Sequence, residues 1–266
     1  MPTALVTGAS SGIGEACALR LARAGWRVLA GVRRVGDAPR GTEEVLLDVT
    51  NEDQVRAAAS RADELDGLVN NAGIALAVPL EFIPLVELRR QLEVNVIGQV
   101  AVTQALLPAL RRARGRIVFV GSIAGRSALP FLGPYAASKH ALEAIADTLR
   151  VELQPFGIHV SIVEPGTIRT PIWTKSAAVA DELANGAPPA LGELYGERIA
   201  AFRKVAMQRG AKGASADDVA GAVEEALTRE RPRTRRLVGL DAKLRSGFER
   251  LPDRLRDRVV ERVLLR

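Results

Sequence analysis

The chain has 266 residues, of which 47% are hydrophobic and 26% are charged, and its formal net charge is +6. This length and composition suit one folded α/β domain and exclude bulk disorder. The first residues lack the basic and apolar regions of a secretory signal, and no apolar run is long enough to span a bilayer. Together with the single cysteine, Cys17, these features predict a cytoplasmic protein.

The positive charge is concentrated in one segment. Residues 229–236 contain five arginines and one glutamate, a density that also occurs in segments that bind nucleic acid or anionic lipid. The segment has no aromatic side chains on which bases could stack. We therefore interpret it as a solvated surface segment and expect no nucleic-acid partner.

Short apolar runs alternate with longer helical patterns along the chain. The predicted strands are residues 4–7, 27–32, 45–48, 67–70, 116–121, 158–163 and 236–239, and the predicted helices are 12–24, 52–62, 85–112, 134–154 and 216–229. The strands do not alternate apolar with polar residues, as expected when both faces are buried. Strand–helix alternation predicts a single doubly wound α/β domain, with a mostly parallel sheet of seven strands flanked by helices.

Two regions depart from this alternation. Residues 167–215 contain no strand pattern and are rich in glycine and proline, which is typical of a lid over a functional site or of a disordered segment. Residues 241–266, after a catalytic domain of residues 1–240, form an arginine-rich amphipathic tail. The tail is expected to dock on its own or a neighbouring subunit, to be a frayed extension, or to make a weak contact with a membrane surface.

A glycine-rich loop joins the first predicted strand to the first predicted helix. Gly8 would permit a sharp turn, Gly12 a close approach to a pyrophosphate, and Gly14 tight packing of helix on strand. The free N–H groups of the helix would face the phosphates. This loop indicates a Rossmann-type dinucleotide site, whose expected ligating residues are Gly8, Ser10, Ser11, Gly12, Ile13 and Gly14.

The end of the second predicted strand indicates which dinucleotide binds. Proteins that bind NAD usually have an acidic residue there, but this chain has Gly31, followed by Arg33. An arginine can pair with the 2′-phosphate of NADP in a charge-assisted contact. The sequence therefore predicts NADP(H), with NAD(H) as the less favoured cofactor.

Tyr135 and Lys139 are four residues apart at the start of a predicted helix, so they share one helix face. A phenol with a pKa near 10 is a poor base at neutral pH, but a nearby ammonium favours the phenolate. Ser122 ends the preceding strand, at the carboxyl edge where open α/β sheets bind ligands. The three residues therefore predict acid/base chemistry on a substrate oxygen.

In this series of motifs the chain resembles the short-chain dehydrogenase/reductase family, and most closely its retinol and hydroxysteroid dehydrogenase-like members. The matching positions span about residues 3–240. They are residues 7–14, Asp48, residues 70–73, Asn95, Ser122, Tyr135 with Lys139, and Pro165 with Gly166.

The resemblance implies a role for each catalytic residue. Tyr135 would exchange the proton with the substrate oxygen, Ser122 would orient that oxygen, and Lys139 would lower the pKa of Tyr135 and hold the nicotinamide ribose. Asn95 would anchor a water that relays protons from Lys139 to solvent. Hydride would pass from the pro-S face of the nicotinamide.

The resemblance also implies the remaining cofactor contacts. The adenine and its ribose would lie against Asp48, Val49, Asn71, Ala72 and Gly73, and the nicotinamide against Pro165, Gly166, Ile168 and Thr170. No metal is expected. A homodimer or homotetramer is expected.

The apolar residues of 167–215, and those just before Tyr135, suit a steroid-, retinoid- or lipid-like substrate. The expected activity is the interconversion of a primary or secondary alcohol with its aldehyde or ketone. The alternative is a catalytically silent NADP(H)-binding regulatory or scaffold protein of the same fold.

Overall fold

The computed structural model describes residues 1–249 and 251–265, and within them it contains one sheet of seven parallel strands in the order β3-β2-β1-β4-β5-β6-β7. The strands are β1 (Thr3–Thr7), β2 (Arg27–Val32), β3 (Glu43–Leu46), β4 (Gly67–Asn70), β5 (Arg116–Val120), β6 (His159–Pro165) and β7 (Arg235–Val238). The predicted doubly wound, seven-stranded architecture is confirmed, and every pairing is parallel.

Helices cover both faces of the sheet. They are α1 (Gly12–Arg23), α2 (Glu52–Ala59), α3 (Leu85–Leu92), α4 (Gly98–Ala113), α5 (Gly133–Glu152), α6 (Ile172–Asn185), α7 (Ala190–Ala211), α8 (Ala216–Thr228), α9 (Leu240–Phe248) and α10 (Asp253–Leu264). On one face α1 and α8 bury side chains such as Leu21 and Val223. On the other, α2, α4 and α5 bury Val55, Leu106 and Leu142.

The edge strand β3 lies two residues earlier in the chain than predicted. Glu43 pairs across the sheet with Arg27 through two hydrogen bonds of 2.8 Å. Charged residues are tolerated on an edge strand, where one side of the backbone has no neighbouring strand. The sequence prediction began this strand at the first apolar residue, Val45, rather than at Glu43, and Asp48 lies in the following loop.

The strand order reverses at β1, which lies between β2 and β4. The loops after β1 and β4 meet there, at the carboxyl edge of the sheet. The Thr7 hydroxyl accepts hydrogen bonds from the backbone N–H groups of Asn71 and Ala72, both at 2.9 Å. This crevice is where ligands bind in open α/β sheets.

Residues 167–215 are largely helical, in α6 and α7, and return to the sheet through a bridge between Ile168 and Ala214. The tail forms two helices, α9 and α10, which pack against the rest of the same chain. On α9, Ala242 is fully buried, and on α10, Leu264 packs with Leu132 and Phe202. No helix in the part of the chain described is long and apolar enough to cross a membrane.

Candidate active site

The loop after β1 has the backbone conformation that the glycine pattern predicts. Gly8 and Gly12 have φ angles of 65° and 62°, a region that side chains disfavour. A Cβ on Gly14 would lie 2.2 Å from the Gly8 carbonyl oxygen, so only glycine permits this packing. Ser11 precedes α1 without capping it, which leaves the N–H groups of the first turn available to a ligand.

A cation follows the end of β2, at the same carboxyl edge of the sheet. Gly31 is buried, and a Cβ there would lie 3.0 Å from a methyl of Leu47. Arg33 follows the strand, is exposed, and forms no ion pair with any carboxylate of residues 1–249 or 251–265. A guanidinium without a carboxylate partner at this position fits an anionic ligand.

Asp48 and Val49 follow β3 beside this crevice. Asp48 Oδ1 accepts hydrogen bonds from the backbone N–H and the hydroxyl of Thr50, at 3.0 and 2.7 Å. Val49 is buried against Gly98, where a Cβ would come within 2.7 Å of it. One carboxylate oxygen of Asp48 is thus used to hold its own loop.

Ser122 lies just beyond β5 and begins a short 3-10 turn, Ile123–Gly125. Its hydroxyl accepts a hydrogen bond of 3.1 Å from the Ala124 N–H, which fixes the side chain at the carboxyl edge. The turn packs tightly on α5, since a Cβ on Gly125 would lie 2.9 Å from the Lys139 carbonyl oxygen. This contact sets the distance between Ser122 and the helix that carries Tyr135.

Tyr135 is 7% exposed, in the first turn of α5. Burial raises the pKa of its phenol, whereas the neighbouring Ser122 hydroxyl and the positive charge of Arg245 act to lower it. The Trp173 ring stands edge-on to the phenol, with centroids 6.0 Å apart. Ser122 and Tyr135 are therefore brought together as predicted, in an apolar environment.

Lys139 lies one turn after Tyr135, with Nζ 5.8 Å from the centre of the phenol ring. Nζ donates a hydrogen bond of 2.8 Å to the Val120 carbonyl oxygen. Burial lowers the pKa of Lys139 to about 8, and the charge of Glu143 acts in the opposite direction. The ammonium is therefore buried at the site with two further donors available.

Asn95 lies in a π-helical turn, Glu93–Ile97, that separates α3 from α4. The sequence predicted one continuous helix, and such turns are frequent at functional sites. Asn95 accepts from the Ile74 N–H at 2.8 Å and donates to the Ile74 carbonyl oxygen and the Ser138 hydroxyl at 2.9 and 3.0 Å. Both its N–H donors are engaged, so a relay water would bind through an oxygen of this residue.

Gln91 and Gln99, one turn before and one turn after Asn95, were not among the predicted residues. Gln91 accepts a hydrogen bond from the Leu76 N–H at 2.9 Å and donates one to the Ile74 carbonyl oxygen at 2.8 Å. Gln99 donates to the Ala72 carbonyl oxygen at 2.7 Å. We call residues 91, 95 and 99 the polar row. Their spacing of four residues was a signal in the sequence, since buried polar side chains need partners.

The loop after β6 completes the crevice. The Gly166 N–H donates to the Val238 carbonyl oxygen at 2.9 Å, and the Thr167 N–H donates to Asp241 at 2.6 Å. Thr170 faces the phosphate loop, because a Cβ on Gly12 would lie 3.4 Å from it. The predicted residues 8–14, 71–73 and 165–170 therefore meet at one edge of the sheet.

The apolar residues of 167–215 form small clusters beside Tyr135. Ile172 and Trp173 pack against Ala75, Ala124 and Tyr135, whereas Leu194 is 61% exposed. Part of this segment closes its own small core, and the part nearest Tyr135 is apolar and aromatic. Among the described residues there is no group of three or more His, Cys, Asp or Glu placed to hold a metal ion.

Comparison with known proteins identifies the family of the chain. The profile of the short chain dehydrogenase family matches residues 2–180. An NADPH-dependent 3-dehydrocapnine reductase from Ornithobacterium rhinotracheale is 35% identical, over 97% of this chain and 96% of its own. The human 17-beta-hydroxysteroid dehydrogenase type 6 is 40% identical, over 90% of this chain and 80% of its own. The predicted likeness to hydroxysteroid dehydrogenases is confirmed.

Solved structures agree with the fold at similar coverage. A short chain dehydrogenase from Burkholderia cenocepacia in complex with NADP is 29% identical, covers 99% of this chain and 97% of its own, and has a TM-score of 0.74. One from Burkholderia phymatum in complex with NAD is 27% identical, covers 89% and 88%, and also has a TM-score of 0.74. The chain belongs to the short chain dehydrogenase family and is an oxidoreductase.

Proposed function

We propose that the chain is an NADP(H)-dependent oxidoreductase that interconverts a primary or secondary alcohol with its aldehyde or ketone. The observation that carries this proposal is the position of Tyr135, buried beside the Ser122 hydroxyl and one turn from Lys139. A proton donor beside a second hydroxyl donor suits a carbonyl oxygen that gains a proton.

The residues of the crevice fit a dinucleotide. Its phosphates would be held by the loop Gly8–Gly14 and the first turn of α1, where the N–H groups have no capping side chain. Arg33 would take the 2′-phosphate of NADP, which is why we propose NADP(H) over NAD(H). Solved relatives are known in complex with NADP and with NAD. The proposed preference for NADP(H) therefore depends on Arg33 and on the presence of glycine rather than an acidic residue at position 31.

The bound nicotinamide would supply the hydride in reduction and accept it in oxidation. Ser122 would orient the substrate oxygen, and Tyr135 would donate its proton to that oxygen in reduction. Lys139, when protonated, would favour the phenolate and would use its free donors on the cofactor ribose. Asn95 would hold Ser138 and the loop at Ile74, and so keep α5 aligned with the crevice.

The substrate we propose is apolar in its main part. Trp173 stands at the phenol, and Ile172, Ala75 and Ala124 complete an apolar lining. Such a lining favours steroid-, retinoid- or lipid-like alcohols and carbonyls. The relative named 17-beta-hydroxysteroid dehydrogenase type 6 supports this class of substrate.

Replacing Tyr135 by Phe tests the proposal, because it removes the proton donor and leaves the phosphate loop intact. We expect NADPH-dependent turnover of ketones to fall by at least about 100-fold, while the dissociation constant for NADPH changes little. Stopped-flow turnover and fluorescence titration measure the two quantities.

Retention of most activity by the variant would overturn the assignment of Tyr135. Cofactor binding without turnover by the unaltered protein, across a broad panel of ketones, aldehydes and alcohols, would instead favour the catalytically silent alternative.

We also propose a homodimer or homotetramer, by analogy with the family, and a weak contact with anionic membranes through α10. On α10, Leu255, Val259 and Val263 are 47%, 38% and 47% exposed, and Arg254, Arg258 and Arg262 are exposed beside them. Apolar and cationic rows on one surface suit a membrane interface. Light scattering measures the oligomeric state, and liposome co-sedimentation measures binding to anionic membranes.

A further inference from the structure

The first helix of the tail, α9, is fastened beside the active site at two points. At its start, Asp241 accepts the hydrogen bond from the Thr167 N–H at 2.6 Å, in the loop after β6. One turn later, Arg245 Nη2 donates to the Ser127 carbonyl oxygen at 2.7 Å. Ser127 lies between Ser122 and Tyr135 in the chain, so α9 contacts the loop after β6 and the segment between those two residues, on one side of the crevice.

Arg245 brings a cation to this side of the crevice. Its charge is among the causes that lower the pKa of Tyr135, and Tyr135 acts in turn on Arg245. Burial lowers the pKa of the guanidinium itself. The side chain is therefore both largely removed from water and electrostatically coupled to the proposed acid.

This guanidinium is not neutralised by its neighbours. Asp241 and Glu249 favour its charged form at a distance, but neither is within 4 Å, and the charge of Arg209 opposes it. Its Nε is buried and has no hydrogen-bond acceptor among residues 1–249 and 251–265. An unsatisfied buried donor on a cation is unfavourable unless a ligand satisfies it.

We propose that Arg245 binds the substrate, and that the substrate carries a carboxylate or similar oxyanion on an otherwise apolar alcohol or ketone. This inference rests on the proposed function and narrows its substrate class. The free donors of a guanidinium match the oxygens of such a group, while Trp173 and its neighbours cover the apolar part. The tail would then be part of the active site.

The test compares keto acids with their methyl esters in NADPH-dependent reduction. The probes are oxodecanoates with the ketone at increasing distances from the carboxylate, each paired with its ester. For at least one position we expect the unaltered protein to favour the acid. In Arg245→Met, kcat/KM for that acid should fall by about 10- to 100-fold, with the ester little changed.

Lys243→Met provides the matched control, because Lys243 is exposed on the same helix and the variant loses the same charge. It should keep the preference for the acid. A loss of stability in Arg245→Met would lower acid and ester rates together, so the ratio of the two rates separates binding from a structural role. An unchanged ratio in Arg245→Met would overturn the proposal.

The proposed function and this inference can fail separately. If no acid or ester is reduced by the unaltered protein, the proposed function fails for this class of carbonyl. Calorimetric titration with the oxodecanoates then tests whether Arg245 binds the carboxylate. Weaker binding to Arg245→Met than to Lys243→Met would support the inference, and equal binding to the two variants would overturn it.

Discussion

Arg33 is the residue on which the cofactor preference depends. It stands exposed after β2 and pairs with no carboxylate in the described part of the chain. Arg33→Ala should weaken NADPH binding by about 10- to 100-fold, since hydrogen bonds to charged groups contribute roughly 1.5–3 kcal/mol. NADH binding should change little, because NADH has no 2′-phosphate.

Fluorescence titration of both cofactors measures this effect. Arg23→Ala is the matched control, because Arg23 is also exposed but ends α1, at the opposite edge of the sheet from the phosphate loop. If Arg33→Ala weakened NADH and NADPH binding equally, Arg33 would be a general electrostatic contact and the preference for NADP would lose its basis.

At the scale of elements, the polar row holds the loop after β4. Gln91 is fully buried, and its side chain satisfies one N–H and one carbonyl group of that loop. Gln91→Leu leaves the Leu76 N–H buried without a partner, which costs roughly 1–3 kcal/mol, whereas the Ile74 carbonyl oxygen still accepts from Asn95 at 2.9 Å. We expect the free energy of unfolding to fall by about 1–3 kcal/mol and NADPH binding to weaken with it.

Urea unfolding measures this change, with Gln104→Leu as the control. Gln104 is exposed on α4 and has the same side chain, so its replacement should have little effect. A Gln91→Leu variant as stable as the Gln104→Leu variant would mean that the loop finds other partners for its backbone groups.

The same elements explain how far the sequence could predict the site. The glycine positions of the phosphate loop, the alternation of strands and helices along the chain and the Tyr135–Lys139 spacing follow from local rules, and the structure agrees with them. The partners of Gln91 and Gln99 lie 15 to 27 residues away in the chain, so local rules could not identify them. Arg245 meets Ser127 across 118 residues, and no pattern in the tail indicated that contact.

On the scale of the whole molecule, a partly buried charge cluster joins α5, β6, β7 and the segment after β5. Arg235 donates hydrogen bonds to Glu143 at 3.1 Å and to Asp147 at 2.6 Å. Arg126 donates one to Glu164 at 2.6 Å. Glu143 and Glu164 each keep one buried oxygen without a partner among the described residues. The negative charge of Glu164 therefore favours the protonated form of Glu143.

This cluster makes the stability of the fold depend on pH. Burial raises the pKa of Glu143 to about 7, the charge of Glu164 adds to this effect, and the charge of Arg235 opposes it. Between pH 4.5, the ordinary pKa of such a group, and pH 7, the folded state holds a proton that the unfolded state has lost. The free energy of unfolding should therefore decrease as pH rises through this window.

Glu143→Gln removes this titration and should flatten the decrease. After allowance for solvent screening and for the opposing charge of Arg235, we expect a difference on the order of 1 kcal/mol between the ends of the window. Urea unfolding at several pH values measures it, and subtracting the two curves cancels other groups, such as Asp147, whose pKa is lowered chiefly by its hydrogen bond with Arg235. Glu152→Gln, an exposed change on the same helix, should keep the slope of the unaltered protein. Parallel curves for Glu143→Gln and the unaltered protein would show that Glu143 is already ionised across this range.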